Sequence, residues 1–562
     1  LKICKEENNL KNTLKKIVCS VLALALCVSA FAACGSGNNE SSSSGKASTA
    51  STESKTETSG TTTNSGEKID PTACEDTMDV TIAVMTGFTQ SDSRVEKMLE
   101  EKYNVNIELV VLPGWTDGQS KINLLMAGDD TPNIMWWWGM DNDFLQWKNA
   151  GKLVDVSEYM NKYTNIRDYY NKMDPLTLFY ATEDDGAVYR IPGDVSEPSC
   201  ECLWIRQDWL DNLKLEVPTT IEELEEVMRA FTEDDPDGNG QKDTYGLGGD
   251  GYDPRSFIPW IYSYDYTHYN RWTVDADGNV GYGPAMPNTK NWLQDVSELY
   301  AKGYITPNIT QDTDRDEEMA NGGFGVTYSW CAYNNPDAQT MKSFYASNPD
   351  AKWVPIDQVK GENGNPQDDP ATSAAWAYFG ITNTATDPER LYAMYDDMCG
   401  LDNYIERRYG VEGEDYTIDE NGLYNPIIAP ESDENNTQNI GLNLFNNLFN
   451  RKDEGLISNT PETKALFEKS GANSRDRAAQ LVEWRNPADL TLFTPIQADV
   501  EDEVNRYIWA VIGGQDSVDN WDTYISTLNS LGLEEAVAEA QEVYNAQAEK
   551  LQAYQDNKTN QG

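Results

Sequence analysis

The segment that decides the fold contains three short apolar runs: Val80-Thr-Ile-Ala-Val84, Val105-Asn-Ile-Glu-Leu-Val-Val111 and Asn133-Ile-Met-Trp-Trp137. Two stretches with helical periodicity separate them, one around Val95 and one around Leu125. Strand, helix, strand, helix, strand at this spacing predicts βαβ units in a parallel sheet. Ligands of such sheets bind at the carboxyl ends of the strands. We therefore expect site residues in the loops that follow the first and third runs.

Further elements follow along the chain. A capping-box pattern at Pro218–Glu223 predicts the start of a helix, and helical periodicity recurs over Thr289–Tyr300 and from Leu533 to about Tyr554. The continuously apolar run Ala374–Gly380 indicates a buried strand, although periodicity alone leaves a buried helix segment open. A chain of 562 residues is too long for one sheet, so the pattern predicts an α/β protein with two lobes.

Composition excludes several classes of function. Asp and Glu number 94 against 43 Lys and Arg, a formal net charge of −51, which argues against binding nucleic acid. Aromatic residues make up 10% of the chain, so it is not a disordered acidic polymer. The single histidine, His268, makes a Ser-His-Asp triad or a His-rich zinc site improbable.

The amino-terminal segment has the pattern of a secretory signal. Three lysines precede the apolar run Ile17–Phe31, which ends in Ala32-Ala33-Cys34-Gly35. At 1.5 Å per residue that run spans about 22 Å, less than the roughly 30 Å of a bilayer core. Residues 1–33 are predicted to be the signal peptide, and residues 34–68, rich in Ser, Thr and Gly, a flexible tether.

Phe31-Ala32-Ala33-Cys34 resembles the bacterial lipobox, in which the cysteine is acylated. The resemblance implies a lipid anchor at Cys34 and a location on the outer face of the bacterial cytoplasmic membrane. The alternative is an ordinary signal peptide with an incidental cysteine. The remaining cysteines are odd in number and imply no disulfide framework; they are Cys74, Cys200, Cys202, Cys331 and Cys399.

Several segments in order resemble extracellular solute-binding proteins of sugar importers, of the family-1 type, and in particular its long lipoprotein branch associated with oligosaccharides such as aldouronates. The segments are Leu124–Met135, Leu203–Leu210 with Val217-Pro-Thr-Thr, Asp235–Gly246, Gly322–Trp330 and Tyr409–Tyr416. The resemblance implies a periplasmic-binding-protein-like fold that closes on ligand by hinge motion. Lobe 1 would hold residues 69–192, with about 371–440 returning to it. Lobe 2 would hold 193–370 with much of 441–562, and the hinges would lie near Pro192 and Pro370.

A sugar-binding cleft needs flat aromatic rings for stacking and polar groups for the hydroxyls at the ring edge. Trp136 and Trp138 share one face of the predicted third strand. The family pattern favours Trp138 and Asp141 just after that strand, and Trp330 as a stacking aromatic with Tyr333 as its companion. The other candidate residues are Trp260, Tyr262, Tyr264, Trp376 and Arg206. For the tryptophans the alternative is core packing, and for Arg206 it is a buried ion pair.

The loop from Asp235 to Asp243 has the spacing of an EF-hand-like calcium loop, with Gly240 at the sharp turn. Its candidate ligands are Asp235, Asp237, Asn239, Gln241 (through the backbone carbonyl) and Asp243. Gly246 stands where the bidentate glutamate belongs, so the full motif fails. Related solute-binding proteins carry a structural calcium at a similar loop, and the alternative is a solvated acidic turn. Asp275-Ala-Asp-Gly-Asn279 lacks the later ligands and predicts a hairpin turn.

These observations lead to one functional hypothesis. The protein is expected to be a monomeric, lipid-anchored subunit that captures an oligosaccharide and delivers it to the permease of an ABC transporter. It is not expected to be an enzyme and needs no catalytic cofactor, because no motif singles out a catalytic pair among its many carboxylates. The alternative is a cell-surface lipoprotein that binds or cleaves glycans without transport.

Overall fold

The computed structural model describes residues 68–85, 92–195, 201–313, 318–319, 322–330, 339–366, 372–420, 422, 424–427, 440–445, 448–449, 451 and 478–559. The predicted signal peptide, Cys34 and almost all of the tether lie outside these residues, as do Cys200, Cys331 and Tyr333. Cys74, Cys202 and Cys399 are free thiols. Within the described part of the chain, no helix combines the length and the apolar character needed to cross a bilayer.

The first sheet has five strands in the order β2-β1-β3-β11-β4. The strands are β1 (Met78–Met85), β2 (Val105–Leu112), β3 (Ile134–Trp138), β4 (Ile191–Val195) and β11 (Ala375–Ile381). β1 pairs in parallel with β2 and β3, with helices α1 (Arg94–Tyr103) and α2 (Trp115–Ala127) as the crossovers. The βαβ prediction is therefore confirmed for these three strands.

One of the remaining two strands runs the other way. β11 pairs antiparallel with both β3 and β4, so β4 has the same direction as β1, β2 and β3, and the sheet is mixed. β11 is buried along most of its length because it lies in the interior of the sheet. The run Ala374–Gly380 is thus a strand, and the buried-helix alternative is excluded.

The second sheet has four strands in the order β10-β5-β9-β6. They are β5 (Glu201–Arg206), β6 (Tyr245–Leu247), β9 (Phe324–Trp330) and β10 (Trp353–Ile356). Two short hairpins complete the strands: β7 (Trp272–Val274) with β8 (Val280–Tyr282), and β12 (Tyr416–Ile418) with β13 (Tyr424–Pro426). The turn of the first hairpin is Asp275–Asn279, as predicted, and the Asp275 carboxylate accepts hydrogen bonds from the N–H groups of Asp277 and Asn279.

The helices cover both sheets. Beyond α1 and α2 they are α3 (Asp141–Asn149), α4 (Ser157–Lys162), α5 (Asn165–Met173), α6 (Pro175–Ala181), α7 (Gln207–Leu213), α8 (Ile221–Glu233), α9 (Ile258–Ile261), α10 (Thr289–Ala301), α11 (Gln339–Ser347), α12 (Pro388–Met398), α13 (Leu401–Tyr409), α14 (Gln497–Ile512), α15 (Trp521–Leu531) and α16 (Leu533–Thr559). The predicted start of α8 is confirmed, because the Thr220 hydroxyl caps the helix by accepting from the N–H of Glu223.

Each sheet has its own hydrophobic core. The first core gathers buried residues from the range 78–191 and from 375–449. The second core gathers residues from 203–359 and from 482–540. The chain therefore passes between the cores within the ranges 192–202, 360–374 and 450–481, each of which the structure describes only in part. The lobe boundaries and the hinges near Pro192 and Pro370 stay predictions.

Trp137 shows how the first core is packed. Its side chain is 1% exposed, and its ring stacks on Phe144 at 5.9 Å and meets Trp147 edge-on at 5.5 Å. These contacts hold α3 against the end of β3, where the loop that follows this strand begins.

We predict that Trp137→Ala lowers the unfolding free energy by about 3–5 kcal/mol, because it leaves a large cavity in the core. The measurement is urea unfolding followed by far-UV circular dichroism. Glu108→Gln, an exposed change on the edge strand β2, is the control and should alter stability by less than about 0.5 kcal/mol. A loss for Trp137→Ala no larger than that of the control would contradict the packing described here.

Candidate functional site

A cavity of about 420 Å³ lies where the two cores face each other. Five parts of the chain form its walls. The loop after β3 contributes residues 139–143, the start of β11 contributes residues 372–376, and the second-core side contributes residues 270–272, Tyr282 and residues 482–501. The prediction that the loop after the third strand borders a binding site agrees with this position.

The first wall turns sharply out of β3. Gly139 has a φ of +56°, a conformation that a residue with a side chain rarely adopts, and it lets the chain leave the strand and begin α3 at Asp141. Asp141 and Asp143 both lie in the first turn of α3, where the helix dipole favours carboxylates. Both line the cavity.

Asp141 is held by a buried arginine. Arg190 donates to the Asp141 carboxylate at 2.8 Å, and its other guanidinium nitrogen donates to the backbone carbonyls of Tyr180 and Arg485. The guanidinium carbon lies 4.9 Å from the ring centre of Phe144 and 4.6 Å from that of Tyr378. The Arg190 side chain, only 7% exposed, is therefore fully occupied by protein groups.

A buried carboxylate joins the two sides of the cavity. Glu483, from the second-core side, accepts hydrogen bonds from the backbone N–H groups of Ser373 and Ala374 at 3.0 and 3.1 Å. Burial raises the pKa of the Glu483 carboxyl, although these two N–H groups and the charge of Arg271 oppose the shift. The strand β11 thus begins at a point fixed by a side chain from the other core.

Three tryptophans stand in the cavity wall. Trp376 comes from β11 and packs edge-on against Trp136, with ring centres 6.2 Å apart. Trp272 and Trp484 come from the second-core side and meet edge-on at 5.9 Å. The N–H of Val482 donates to the Trp272 carbonyl at 3.0 Å, which brings these two distant segments together.

Polar groups fill the spaces between these rings. Glu501 accepts a hydrogen bond from Gln497 at 2.8 Å, and both residues line the cavity beside Tyr282. Burial, and then the charge of Glu501, raise the pKa of the Tyr282 hydroxyl. Among the described residues, neither the Tyr282 hydroxyl nor the indole N–H of Trp484 has a hydrogen-bond partner.

The predicted calcium loop folds as a compact turn in which Gly238 and Gly240 have positive φ. The amide nitrogen of Asn239 donates to the carboxylates of Asp237 and Asp243, and the N–H of Gly240 donates to Asp235. The other oxygen of Asp235 is buried without a partner among the described residues. Among all the residues that the structure describes, no three His, Cys, Asp or Glu side chains are gathered closely enough to hold a metal ion.

The sequence matches the family model described as bacterial extracellular solute-binding protein over residues 95–398, more than half of the chain. The chain belongs to this family. The resemblance noted from the sequence is thereby confirmed, and the cavity between the two cores is the place where a two-lobed solute-binding protein would hold its solute.

Two curated relatives of this solute-binding protein come from Bacillus subtilis (strain 168). The polygalacturonan/rhamnogalacturonan-binding protein YtcQ is 26% identical over 61% of this chain and 67% of its own length. The lipoprotein LipO is 24% identical over 61% of this chain and 68% of its own.

Solved structures share the fold. The Streptococcus pneumoniae ABC-transporter substrate-binding protein FusA, as an EF-hand mutant in complex with fructo-nystose, is 21% identical with a TM-score of 0.63. The match covers 84% of this chain and 100% of that one. The predicted two-lobed α/β fold of this solute-binding protein is confirmed.

Of the predicted ligand-binding residues, the structure brings Asp141 and Trp376 together on the cavity wall. Trp136 is 1% exposed in the first core, beneath Trp376. Trp138 is half-buried and packs against Trp136 in a tilted arrangement with ring centres 4.7 Å apart, and its six-membered ring closely approaches the backbone at Gly118. Trp138 packs next to the cavity and is not part of its wall.

The aromatic segment 260–264 lies elsewhere. Trp260 and Tyr262 are buried in the second core, and the Trp260 indole N–H donates to Glu225 at 3.0 Å. Tyr264 is half-buried and donates its hydroxyl proton to Asp295. The structure therefore gives these side chains packing positions and does not place them at the cavity.

Arg206 also differs from its expectation as a cleft residue. It is 5% exposed, forms a two-point ion pair with Asp208 at 2.8 and 2.5 Å, and stacks over Trp209 at 4.5 Å. This is the buried-pair alternative. Trp330 ends β9, but its side chain lies outside the described part of the structure, as does all of Tyr333.

Trp272, Glu483, Trp484 and Glu501 are cavity residues that sequence reasoning missed. No local pattern distinguishes them, since Trp272 lies in a short hairpin, Glu483 and Trp484 lie in an irregular segment, and Glu501 lies on the helix α14. The one usable signal is the run Leu481-Val-Glu-Trp-Arg485, in which aromatic and charged residues alternate outside any helical period. Its contact with Trp272 joins residues more than 200 positions apart, and such pairs are invisible to periodicity.

The raised pKa of Glu483 predicts a pH-dependent stability. The folded protein holds the proton of the Glu483 carboxyl more tightly than the unfolded chain does. The contribution of this carboxyl to stability is therefore complete below its ordinary pKa of 4.5 and is lost as the pH rises through the raised pKa. We predict that the melting-temperature difference between wild type and Glu483→Gln is most favourable to wild type at low pH and declines on approach to neutrality. Differential scanning fluorimetry between pH 4 and 8 measures it, with Glu108→Gln as control. A melting-temperature difference between the two proteins that stays constant with pH would show that the pKa of Glu483 is not raised in the folded state.

Proposed function

We propose that the protein captures an oligosaccharide in the cavity between its two cores and delivers it to the permease of an ABC transporter. The observation that carries the proposal is the composition of the cavity wall. Tryptophans from both sides, Trp376 on one and Trp272 and Trp484 on the other, alternate with carboxylates and amides. Flat apolar rings with polar groups at their edges match the faces and hydroxyls of a sugar chain.

The two unpartnered polar groups support a hydroxyl-rich ligand. A buried N–H or hydroxyl without a partner costs free energy, about 1–3 kcal/mol each. Movement of the wall onto a bound sugar would give the Trp484 N–H and the Tyr282 hydroxyl a partner and relieve that cost. The cavity volume of about 420 Å³ accommodates a short segment of a sugar chain.

Transport requires closure and a membrane location. We infer that lobe 1 (69–192 with about 371–440) and lobe 2 (193–370 with much of 441–562) close by rotation near Pro192 and Pro370. Acylation of Cys34 would hold the monomer at the outer face of the membrane, and residues 34–68 would give it reach. The relatives support this setting, since LipO is named as a lipoprotein and FusA as a substrate-binding protein of an ABC transporter.

We predict that Trp376→Ala and Trp484→Ala each weaken oligosaccharide binding by about tenfold or more, because each removes a stacking surface worth at least 1.4 kcal/mol. Isothermal titration calorimetry with sugars found by a thermal-shift screen measures the loss. The control is Trp292→Phe, a change in the second core that lowers the melting temperature and leaves affinity intact.

The same samples separate transport from glycan cleavage. Binding without turnover is expected, so chromatography after prolonged incubation should recover the sugar unshortened. Recovery of shorter products would favour the glycan-cleaving alternative. Unchanged affinity in both tryptophan variants would reject the cavity as the binding site.

We also propose that a structural calcium ion binds the loop from Asp235 to Asp243. The donor chemistry fits, because Asp235, Asp237 and Asp243 supply carboxylates, Asn239 an amide oxygen and Gln241 a backbone carbonyl. The Asn239 amide nitrogen now lies between two of these carboxylates, where a cation would be favoured. The missing twelfth-position glutamate predicts weaker affinity than that of a complete EF-hand loop.

We predict that removing calcium with EGTA lowers the melting temperature by a few degrees and that adding calcium restores it. A ligand at a hundredfold excess over its Kd stabilises the folded state by about 2.7 kcal/mol. Asp235→Asn should abolish the response, whereas Asp277→Asn in the β7–β8 turn should keep it. Indifference of the wild-type protein to EGTA and to millimolar calcium would refute the site.

A further inference from the structure

The cavity wall carries an excess of negative charge. Its charged lining residues within the described part of the chain are Asp141, Asp143, Glu483, Glu501 and Arg271. Four carboxylates thus stand against one guanidinium. A ligand that enters this space meets a field that favours donors of hydrogen bonds and disfavours a second set of anions.

Arg190, the buried arginine beside the cavity, is already committed to a protein carboxylate. It binds Asp141 and two backbone carbonyls, and two aromatic rings lie against its guanidinium. Arg271 is exposed, and its positive charge opposes the rise in the pKa of the Glu483 carboxyl. Pairing a ligand carboxylate with Arg190 would leave Asp141 with less compensation, at a cost in free energy.

Two of the carboxylates that line the cavity accept few or no hydrogen bonds from the described residues. Asp143 is half-buried in the first turn of α3 and accepts no hydrogen bond from the described residues. Glu501 is half-buried on α14 and accepts only from Gln497. Sugar hydroxyls make strong charge-assisted hydrogen bonds to such groups. A ligand carboxylate at the same distance would be repelled.

We infer that the site selects uncharged sugar rings and discriminates against uronates, with Asp143 and Glu501 as the residues that determine this specificity. The inference rests on the proposed oligosaccharide-binding function and names its substrate class. Repulsion between two carboxylates about 7 Å apart at a protein surface corresponds to a loss of tenfold or more in affinity.

The test compares each sugar with its own oxidised or reduced form. Trimers to pentamers of galactose, glucose, mannose and fructose are screened by thermal shift beside oligogalacturonates, aldouronates and oligomannuronates. Any neutral binder is then oxidised at its primary hydroxyls to carboxylates, and any acidic binder is reduced to the neutral sugar. Calorimetry gives the affinity ratio of neutral to acidic form, which should be at least about ten in favour of the neutral one.

Asp143→Asn combined with Glu501→Gln tests whether charge is the cause. The double variant should shrink the affinity ratio several-fold, because it removes the repulsion while keeping the size of both side chains. Glu108→Gln, an exposed carboxylate on the far edge strand, should leave the ratio unchanged. Raising the salt concentration from 20 to 200 mM should also narrow the ratio in the wild-type protein, which provides a measurement independent of any variant.

The outcomes are distinguishable. An acidic form that binds as tightly as the neutral form, or more tightly, overturns the inference and leaves the proposed function intact. A loss of acidic-sugar binding in Arg271→Gln would likewise overturn it, since Arg271 would then be a carboxylate receptor. If neither the double variant nor added salt changes the ratio of neutral to acidic affinity, charge repulsion by Asp143 and Glu501 is not the cause of the selectivity and the inference is overturned. If no sugar of either kind binds, the proposed function itself fails.

Discussion

The carboxylate of Glu483 and the guanidinium of Arg485 hold Trp484, the residue between them, against the first half of the molecule. Glu483 accepts from the N–H groups at the start of β11, and Arg485 donates to the carbonyls of Phe179 and Thr182 and to Asp184. On the other side, the N–H of Val482 pairs with Trp272. The position of Trp484, and hence the shape of the cavity, follows from these contacts.

The contacts between the halves include many hydrogen bonds together with the ring contact between Phe179 and Tyr554, whereas each half is held together by its own apolar core. This difference has a physical consequence. Apolar cores are close-packed and move as units, while hydrogen bonds to backbone groups can break and re-form in water at little net cost. A molecule built in this way can change the relation of its halves around a ligand without disturbing either core. The burial that raises the pKa of Glu483 is one cost of this arrangement.

Local patterns predicted the elements well and the site unevenly. The strands of the first sheet, the cap of α8 and the β7–β8 turn each depend on neighbours within a few residues, so the sequence suffices for them. The loop after the third strand could be anticipated because a strand end delivers its next residues to the edge of the sheet, and the family resemblance favoured Asp141 within it. Trp260 resembled a ligand residue in a polar, aromatic context, yet a short helix turns it into the second core.

The sequence by itself determined the α/β class, the parallel start of the first sheet and the family. Only the tertiary structure decided which tryptophans form the cavity and how its charges are paired. The reason is that Trp272, Trp376 and Trp484 meet through contacts between segments that are roughly 100 to 200 residues apart. The role of an arginine likewise depends on the tertiary structure. A free arginine side chain can bind a ligand, whereas Arg190 and Arg206 are structural because Asp141 and Asp208 already bind them.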